Sequence, residues 1–329
     1  MVDHPKAGRF HTAPTPYLGG LAVGGGLVIV GIVSAGVNAQ LLTMLICGLV
    51  LGAVGLMDDW RSVHPFMRVT VESACGVALW LVGIRAGFFG VPPLDLALTV
   101  AFVVLITNAV NLLDNMDGLS SGVVAISAFT FFGIAAQRGD YLVASLALVV
   151  AGASLGFLRH NFPPASIFLG DTGSLMLGFF LSGLALKLDL VGSQGTVRAL
   201  VVALILGVPL FDTLLVVVAR VREKRKVYVG GADHSSHRLS NYGYSPRKVA
   251  LVTYALHTFS CGVALALTDA PVVTVAVALV AMSAIAAVLL LVMLRMPYPQ
   301  REAIEADVLV FPESDQQPII QEESTPRAR

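Results

Sequence analysis

Ten apolar runs separated by short polar stretches make up most of the chain. An α-helix needs roughly 20 mostly apolar residues to cross a bilayer, so this pattern predicts an all-α, polytopic bundle of transmembrane helices. We expect residues 1–295 to form one membrane-embedded domain, followed by a disordered acidic tail over residues 296–329. The predicted spans are 18–38, 41–57, 69–88, 94–112, 121–136, 141–158, 173–187, 197–219, 248–268 and 271–294.

The composition agrees with a membrane protein. Hydrophobic residues make up 56% of the chain and charged residues 13%, whereas soluble domains carry about 25% charged residues. The formal net charge is zero, which argues against nucleic acid as a main partner.

The basic residues of the loops predict an orientation. Ten spans place both termini on one side of the membrane, and the loops on that side include the basic cluster from Arg220 to Lys226. By the positive-inside rule, that side and both termini are cytoplasmic. The opposite loops carry Arg85, Arg138, Lys187 and Arg198.

The polar motifs fall on the cytoplasmic set of loops, at the ends of the predicted helices. This placement predicts a single functional face at the membrane surface, since polar groups that faced lipid would cost several kcal/mol each. The segments are "DDWRSVHP" (58–65), "NAVNLLDNMDG" (108–118), "NFPPASIFLGDTGS" (161–174) and "GADHSSHRLS" (231–240).

One motif is a stripe of carboxamides and carboxylates spaced three residues apart: Asn108, Asn111, Asp114 and Asp117. Side chains at this spacing are neighbours on a helix. Their oxygens suit a hard cation such as Mg²⁺. The alternative is hydrogen bonding between membrane helices.

Two further acidic motifs lie at helix ends. Asp58 and Asp59 are adjacent, which predicts a general base or a pair that orients substrate; the alternative is a polar helix end at the membrane surface. Asp171 lies between glycines just before an apolar span, where a carboxylate, a metal ion and a phosphate could meet at a helix N-terminus. Its alternative role is that of a simple N-cap. Asn161 is either a turn residue or a ligand contact.

The segment "HSSHRL" combines His234, His237 and Arg238 beside a basic loop. Arginine and histidine together suit pyrophosphate oxygens, and no further His or Cys cluster has the spacing of a zinc site. The alternative is a solvated loop that binds anionic lipid. Asp212, near the middle of its predicted span, is a candidate partner for Arg220 or for the site.

Taken in order, "DD", "NxxNxxDxxDG", "FLGDTGSLMLG" and "HSSHRL" resemble the polyprenyl-phosphate N-acetylhexosamine-1-phosphate transferases from Asp3 to about Tyr254. The last motif resembles the branch that uses UDP-N-acetylglucosamine, because the branch that transfers phospho-N-acetylmuramoyl-pentapeptide has three consecutive histidines there. The resemblance implies a multi-pass enzyme of the bacterial inner membrane, with a homodimer as a candidate assembly. It would transfer N-acetylglucosamine-1-phosphate from UDP-GlcNAc to a polyprenyl phosphate, release UMP and begin the assembly of a cell-wall or surface glycan.

The resemblance also implies roles for single residues. Asp171 and Asn111 would hold Mg²⁺, or Mn²⁺ in its place. Asp58 or Asp59 would deprotonate or orient the lipid phosphate, and Asp114 and Asp117 would complete the catalytic site. The residues assigned to substrate binding are His11, Asn108, Asn161, His234, His237 and Arg238.

Three other functions remain open on the sequence. The same chemistry could act on another UDP-amino sugar or on UDP-MurNAc-pentapeptide. A cation-coupled transporter belongs to a different class, and such transporters place ionisable groups near the bilayer midplane in repeated, broken helices. Here the ionisable motifs lie at helix ends on one face and no internal repeat is visible, which favours the enzyme.

Overall fold

The computed structural model describes residues 2–3, 15–35, 38–188, 195–227 and 231–296. Within these ranges the regular secondary structure is helical except for one small antiparallel strand pair, β1 (Val2–Asp3) and β2 (Thr15–Pro16). The all-α fold class is therefore confirmed. The helices are α1 (Gly19–Ala35), α2 (Ala39–Trp60), α3 (Pro65–Leu81), α4 (Pro92–Leu113), α5 (Leu119–Gln137), α6 (Tyr141–Asn161), α7 (Gly170–Lys187), α8 (Gly195–Ile205), α9 (Gly207–Arg222), α10 (Ser235–Asn241), α11 (Pro246–Leu267) and α12 (Val272–Arg295).

Each of the ten predicted spans coincides with a long helix, except that the eighth is divided into α8 and α9. Among the described helices, six are long and apolar enough to cross a membrane (α2, α4, α5, α6, α11 and α12), and the α8–α9 pair forms a further, bent candidate. The protein is therefore a multi-pass membrane protein. Ten crossings and a cytoplasmic site remain predictions, and the predicted tail lies outside the described residues after Met296.

The break in the eighth span follows from its sequence. Pro209 lies in the first turn of α9 and has no N–H to donate to the carbonyl of Ile205. The two helices meet at an angle of 77°. Hydroxyls from neighbouring helices satisfy the freed carbonyls: Ser127 donates to Ile205 O over 2.9 Å, and Ser260 donates to Leu204 O over 2.7 Å.

Helix α7 forms the centre of the bundle. Its side chains are buried almost along its whole length, and it packs against α1, α2, α4 and α5. Small residues allow this close approach, since a Cβ added at Gly178 would lie 2.8 Å from Thr107 Cα on α4. Because α7 begins at Gly170, this packing fixes the position of Asp171 in the first turn.

Candidate active site

The four polar motifs meet at one end of the bundle. The last turns of α2 and α4 and the first turns of α3 and α7 lie together there. Short helix α10 joins them through Ser236, whose hydroxyl donates a hydrogen bond to Asn115 Oδ1 in the turn after α4. The convergence predicted from the sequence is therefore present in the fold.

Asn111 and Asp171, the two predicted metal ligands, are in direct contact. Asn111 Nδ2 donates to Asp171 Oδ1 over 2.6 Å and lies 2.9 Å from Ser174 Oγ, one turn further along α7. These bonds fix the orientation of the Asn111 amide, so that its Oδ1 acceptor faces α3. A carboxylate and an amide oxygen are thus held side by side.

Arg68, in the first turn of α3, joins three of the predicted site residues. Its guanidinium donates to Asp58 Oδ2 over 2.8 Å, to Asn111 Oδ1 over 2.6 Å and to Asp171 Oδ2 over 3.4 Å. Asp58 also accepts from the backbone N–H of Val63 over 2.7 Å. Arg68 lies outside the four polar segments of the sequence, just before the predicted span 69–88. The signal that could have identified it is its position one turn into a helix that begins with Pro65, directly after the "DD" motif.

Asp59 forms the cap of α7. Its carboxylate accepts from the backbone N–H of Asp171 over 2.9 Å and from the N–H and hydroxyl of Thr172 over 3.1 and 2.8 Å. The formal N-cap residue, Leu169, makes no side-chain cap. The capping role weighed for Asp171 therefore belongs to Asp59, which leaves the Asp171 carboxylate for Asn111 and Arg68.

Asp114 and Asp117 flank the turn that follows α4, and both are half-buried. The Asp114 side chain makes no hydrogen bond to a described residue. Burial, followed by the negative charges of Asp171, Asp59 and Asp117, raises the pKa of Asp114 well above its usual value. Asp117 Oδ2 accepts from the backbone N–H of Ala165 over 2.9 Å. This end of the bundle therefore carries an excess of negative charge.

Two residues predicted to contact substrate, Asn161 and Asn108, form hydrogen bonds with other residues of the protein. Asn161 is buried, accepts from the Gly118 N–H over 3.0 Å and donates to Ile167 O over 3.0 Å, so it joins the turn after α4 to the segment before α7. Asn108 lies one turn deeper than Asn111 and donates to Glu72 Oε2 over 2.5 Å. Substrate contact by either residue remains a prediction.

The "HSSHRL" segment forms α10 and is anchored to α9. Asp212 is buried, and its carboxylate accepts from the Ser235 N–H over 2.8 Å and lies 2.8 Å from His234 Nδ1. The sequence had left open whether Asp212 pairs with Arg220 or with the site; its described partners are His234 and Ser235, at the start of α10. Arg220 instead donates to Asp233 over 2.8 Å.

His237 and Arg238 differ in their surroundings. His237 is half-buried, and burial, followed by the charge of His234, lowers its pKa to about 4, so the ring is neutral near pH 7. Arg238 is buried and donates to Asp233 O over 3.0 Å and to Met293 O over 2.9 Å. These bonds tie α10 to the end of α12, and phosphate contacts by either residue remain predictions. His11 lies outside the described residues.

The donor set fits a hard divalent cation. Asp171 and Asn111 offer oxygen ligands side by side, and the neighbouring carboxylates supply the negative charge that such a cation would balance. Among the described residues, no group of three His, Cys, Asp or Glu side chains could hold an ion. Mg²⁺ is commonly held by one or two carboxylates together with substrate phosphates and water, so a complete protein cage is not required.

Comparison with known proteins agrees with this geometry. Residues 41–189 match the family model described as glycosyl transferase family 4. These residues include the "DD" motif, the Asn108 to Asp117 stripe and Asp171.

The chain is similar to several curated proteins. It is 34% identical to the probable undecaprenyl-phosphate N-acetylglucosaminyl 1-phosphate transferase of Bacillus subtilis (strain 168), over 78% of this chain and 74% of the relative. It is 34% identical to the decaprenyl-phosphate N-acetylglucosaminephosphotransferase of Mycobacterium tuberculosis (strain ATCC 25618 / H37Rv), over 77% of this chain and 72% of the relative.

A third relative carries a different name. The phospho-N-acetylmuramoyl-pentapeptide-transferase of Synechococcus sp. (strain JA-3-3Ab) is 35% identical over 62% of this chain and 63% of the relative. The motifs, their convergence at one end of the bundle and these similarities lead to one conclusion: the chain belongs to glycosyl transferase family 4, with the polyprenyl-phosphate N-acetylhexosamine-1-phosphate transferases that its motifs resemble.

Proposed function

We propose that this protein transfers N-acetylglucosamine-1-phosphate from UDP-GlcNAc to a polyprenyl phosphate. An oxygen of the lipid phosphate would form a bond to the β-phosphorus of the nucleotide sugar. The bond from that phosphorus to the oxygen shared with the α-phosphate would break, and UMP would leave with the electron pair. The observation that carries the proposal is the Arg68–Asp58–Asn111–Asp171 cluster at one end of a membrane bundle.

The location of this cluster suits both reactants. A polyprenyl phosphate is confined to the bilayer, whereas a nucleotide sugar is confined to water, so they can meet only near the membrane surface. Both are anionic, and catalysis of phosphoryl transfer consists mainly of positioning and charge neutralisation. An arginine beside a candidate cation site, both at helix ends, could position the two reactants and neutralise their negative charge.

The residues of the chain would divide this work. Asp171 and Asn111 would hold Mg²⁺, with Mn²⁺ as an alternative, and the chemistry supplied there is neutralisation of pyrophosphate charge. Asp58 would hold the Arg68 guanidinium at this end of the bundle through its 2.8 Å ion pair, where its positive charge helps to balance the phosphates. Asp114, with its raised pKa, would hold or accept a proton close to the reacting phosphates.

The test is UMP release by the purified protein in detergent. Wild-type protein should release UMP from UDP-GlcNAc only when both polyprenyl phosphate and Mg²⁺ are present, and Asp171→Asn should abolish that release. Asp269→Asn is the matched control. Asp269 lies in the loop between α11 and α12, its side chain is 80% exposed, and it pairs with Arg138 at the end of α5. Release that persists in Asp171→Asn would refute the assigned site.

The Synechococcus relative favours a second candidate donor, since its name specifies phospho-N-acetylmuramoyl-pentapeptide. The same assay should therefore be run in parallel with UDP-GlcNAc, UDP-GalNAc and UDP-MurNAc-pentapeptide. The absence of three consecutive histidines in "HSSHRL" supports UDP-GlcNAc as the preferred donor. Turnover with the pentapeptide donor alone would reverse this assignment.

We also propose that the site faces the cytoplasm, where UDP-sugars are made. The excess of basic residues in the loops on the side of the site supports this orientation. A reporter that is active only in the cytoplasm, fused after Met296, should be active in cells. Activity only of a periplasmic reporter fused at the same position would reverse the orientation.

A further inference from the structure

Glu72, on α3, is a buried carboxylate that has only one of its oxygens engaged. Glu72 Oε2 accepts from Asn108 Nδ2 over 2.5 Å. Glu72 Oε1 is also buried and has no hydrogen-bond partner among the described residues, and the residue as a whole is 0% exposed. An unsatisfied carboxylate oxygen inside a helix bundle is unfavourable, so a donor for Oε1 in another state of the protein would explain its presence.

Helices α3 and α4 face each other through two successive polar pairs. The outer pair joins Arg68 to Asn111 over 2.6 Å, and the inner pair joins Glu72 to Asn108 over 2.5 Å. Because Glu72 follows Arg68 by four residues, the two side chains are neighbours on one face of α3. Glu72 therefore lies one helical turn from Arg68 along α3.

Asn108 provides a second acceptor at the same depth. Its Nδ2 donates to Glu72 Oε2 and to Val104 O over 2.9 Å, so both of its N–H bonds are used. The amide orientation is thereby fixed, and Asn108 Oδ1 is left as an acceptor with no hydrogen bond to a described residue. Glu72 and Asn108 together offer two oxygens that a guanidinium could contact.

Arg68 occupies oxygens that a divalent cation would need. Its guanidinium contacts Asn111 Oδ1 over 2.6 Å and Asp171 Oδ2 over 3.4 Å. A cation and a guanidinium cannot use the same lone pairs, and their like charges repel at this distance. Release of these oxygens by Arg68 would therefore favour binding of a cation at Asp171 and Asn111.

We propose that Glu72 is a positioning residue that receives the Arg68 guanidinium when a divalent cation binds at Asp171 and Asn111. The inference rests on the cation site of the proposed function. The exchange replaces the charge-assisted hydrogen bonds that Arg68 loses with new ones to Glu72 Oε1 and Asn108 Oδ1. Arg68 can keep its contact with Asp58 in both states, because its two terminal nitrogens donate separately. Glu72 thus affects cation affinity through Arg68.

The test is a double-mutant cycle on cation affinity, measured without substrates. Mn²⁺ binding to the purified full chain is followed by electron paramagnetic resonance for wild type, Glu72→Gln, Arg68→Gln and the double variant. Glutamine at position 72 keeps the shape of the side chain and can still accept from Asn108. We expect Glu72→Gln to weaken Mn²⁺ binding roughly tenfold, because a charged hydrogen bond for the released guanidinium is lost.

The Arg68→Gln variant shows whether the loss of Mn²⁺ affinity in Glu72→Gln acts through Arg68. There, Glu72→Gln should change Mn²⁺ affinity by less than about twofold, since no guanidinium remains to be moved. The matched control is Glu223→Gln, which removes a surface carboxylate paired with Arg225 at the end of α9 and should leave Mn²⁺ affinity unchanged. An equal loss in both backgrounds would show a direct charge effect on the cation and would overturn the proposal.

Asp171→Asn separates this inference from the proposed function. If it abolishes Mn²⁺ binding while Glu72→Gln has no effect in the wild-type background, the cation site stands and the role of Glu72 is refuted. If wild type binds no Mn²⁺, or if Asp171→Asn binds Mn²⁺ normally, the cation site and this inference fail together.

Discussion

The carboxylate of Asp59, at the end of α2, accepts a hydrogen bond from the backbone N–H of Asp171, at the start of α7, over 2.9 Å. The two acidic residues are therefore joined through the backbone of one and the side chain of the other. A negative charge at a helix N-terminus is stabilised by the exposed N–H groups and the helix dipole. Asp59 thus fixes the first turn of α7, and with it the direction of the Asp171 side chain.

Removal of this cap should affect both stability and the site. Asp59→Ala should lower the free energy of unfolding by about 1–2 kcal/mol, as loss of an N-cap does, and should also weaken Mn²⁺ binding at Asp171. Thermal unfolding in detergent and Mn²⁺ titration measure the two effects.

The matched control is Asn38→Ala, which removes the N-cap of α2, where the Asn38 side chain accepts from Leu41 N over 2.9 Å. It should lower stability by a similar amount without a change in Mn²⁺ affinity. Equal effects of both variants on Mn²⁺ binding would show that the role of Asp59 is only general stabilisation.

Gly55 allows α2 to approach the start of α7. A Cβ at this position would lie 2.4 Å from the carbonyl oxygen of Asp171, and backbone atoms cannot move aside as a flexible side chain could. Gly55→Ala should therefore destabilise the protein by about 1–3 kcal/mol and reduce UMP release, because it displaces Asp171.

Gly25→Ala is the control for this prediction. Gly25 is also helical, in α1, and a Cβ there would meet nothing within 4 Å. The variant should be at least as stable as wild type in thermal unfolding, because alanine favours the helix more than glycine does, and it should have wild-type activity. A Gly55→Ala protein with wild-type activity would contradict the close approach of α2 and α7.

UMP release should require the planar guanidinium of Arg68. Arg68→Lys keeps the positive charge, but one ammonium group cannot reproduce the separate contacts that the two terminal guanidinium nitrogens make, one of them with Asp58. We expect kcat/KM for UMP release to fall roughly tenfold or more in Arg68→Lys, and further in Arg68→Gln. Arg222→Lys, near the end of α9, should leave kcat/KM unchanged. Full activity of Arg68→Lys would show that charge alone is sufficient.

His237 should make stability depend on pH. Its pKa of about 4 lies below the ordinary histidine value of about 6.5, so the unfolded chain binds a proton more readily than the folded protein between these values. The contribution of neutral His237 to stability is therefore present above about pH 6.5 and is lost as the pH falls toward 4.

The measurement is the difference in stability between wild type and His237→Gln. From about pH 7.5 to about pH 5, wild type should lose roughly 2 kcal/mol more than the variant. Thermal unfolding in detergent at the two pH values provides the comparison. An equal loss of stability in wild type and His237→Gln would contradict a buried, neutral His237.

The sequence allowed the helices to be predicted well, because long apolar runs admit few other structures inside a membrane. It also allowed the convergence of motifs to be predicted, since all of them followed helix ends on one side. The break between α8 and α9 was missed: Pro209 gave a local signal, but an apolar run that continues past a proline also fits one kinked helix.

The roles of single residues were harder to predict, because they depend on partners on other helices. Asp58 and Asp59 are adjacent, yet Asp58 pairs with Arg68 on α3 whereas Asp59 caps α7. Similarly, Arg238 resembles a phosphate ligand in sequence but donates to carbonyl groups near the end of α12. Spacing along the chain cannot distinguish such roles when the partner lies 50 or more residues away, as Met293 does at a separation of 55.

The central claim is the transfer of a phosphosugar, and a doubly labelled donor tests it most directly. UDP-GlcNAc labelled in the sugar and in the β-phosphate is incubated with the protein, polyprenyl phosphate and Mg²⁺, and the lipid is then extracted. The proposed function predicts that both labels enter the lipid in a one-to-one ratio and that UMP is the released nucleotide. Sugar label in the lipid without the β-phosphate, with release of UDP, would contradict it.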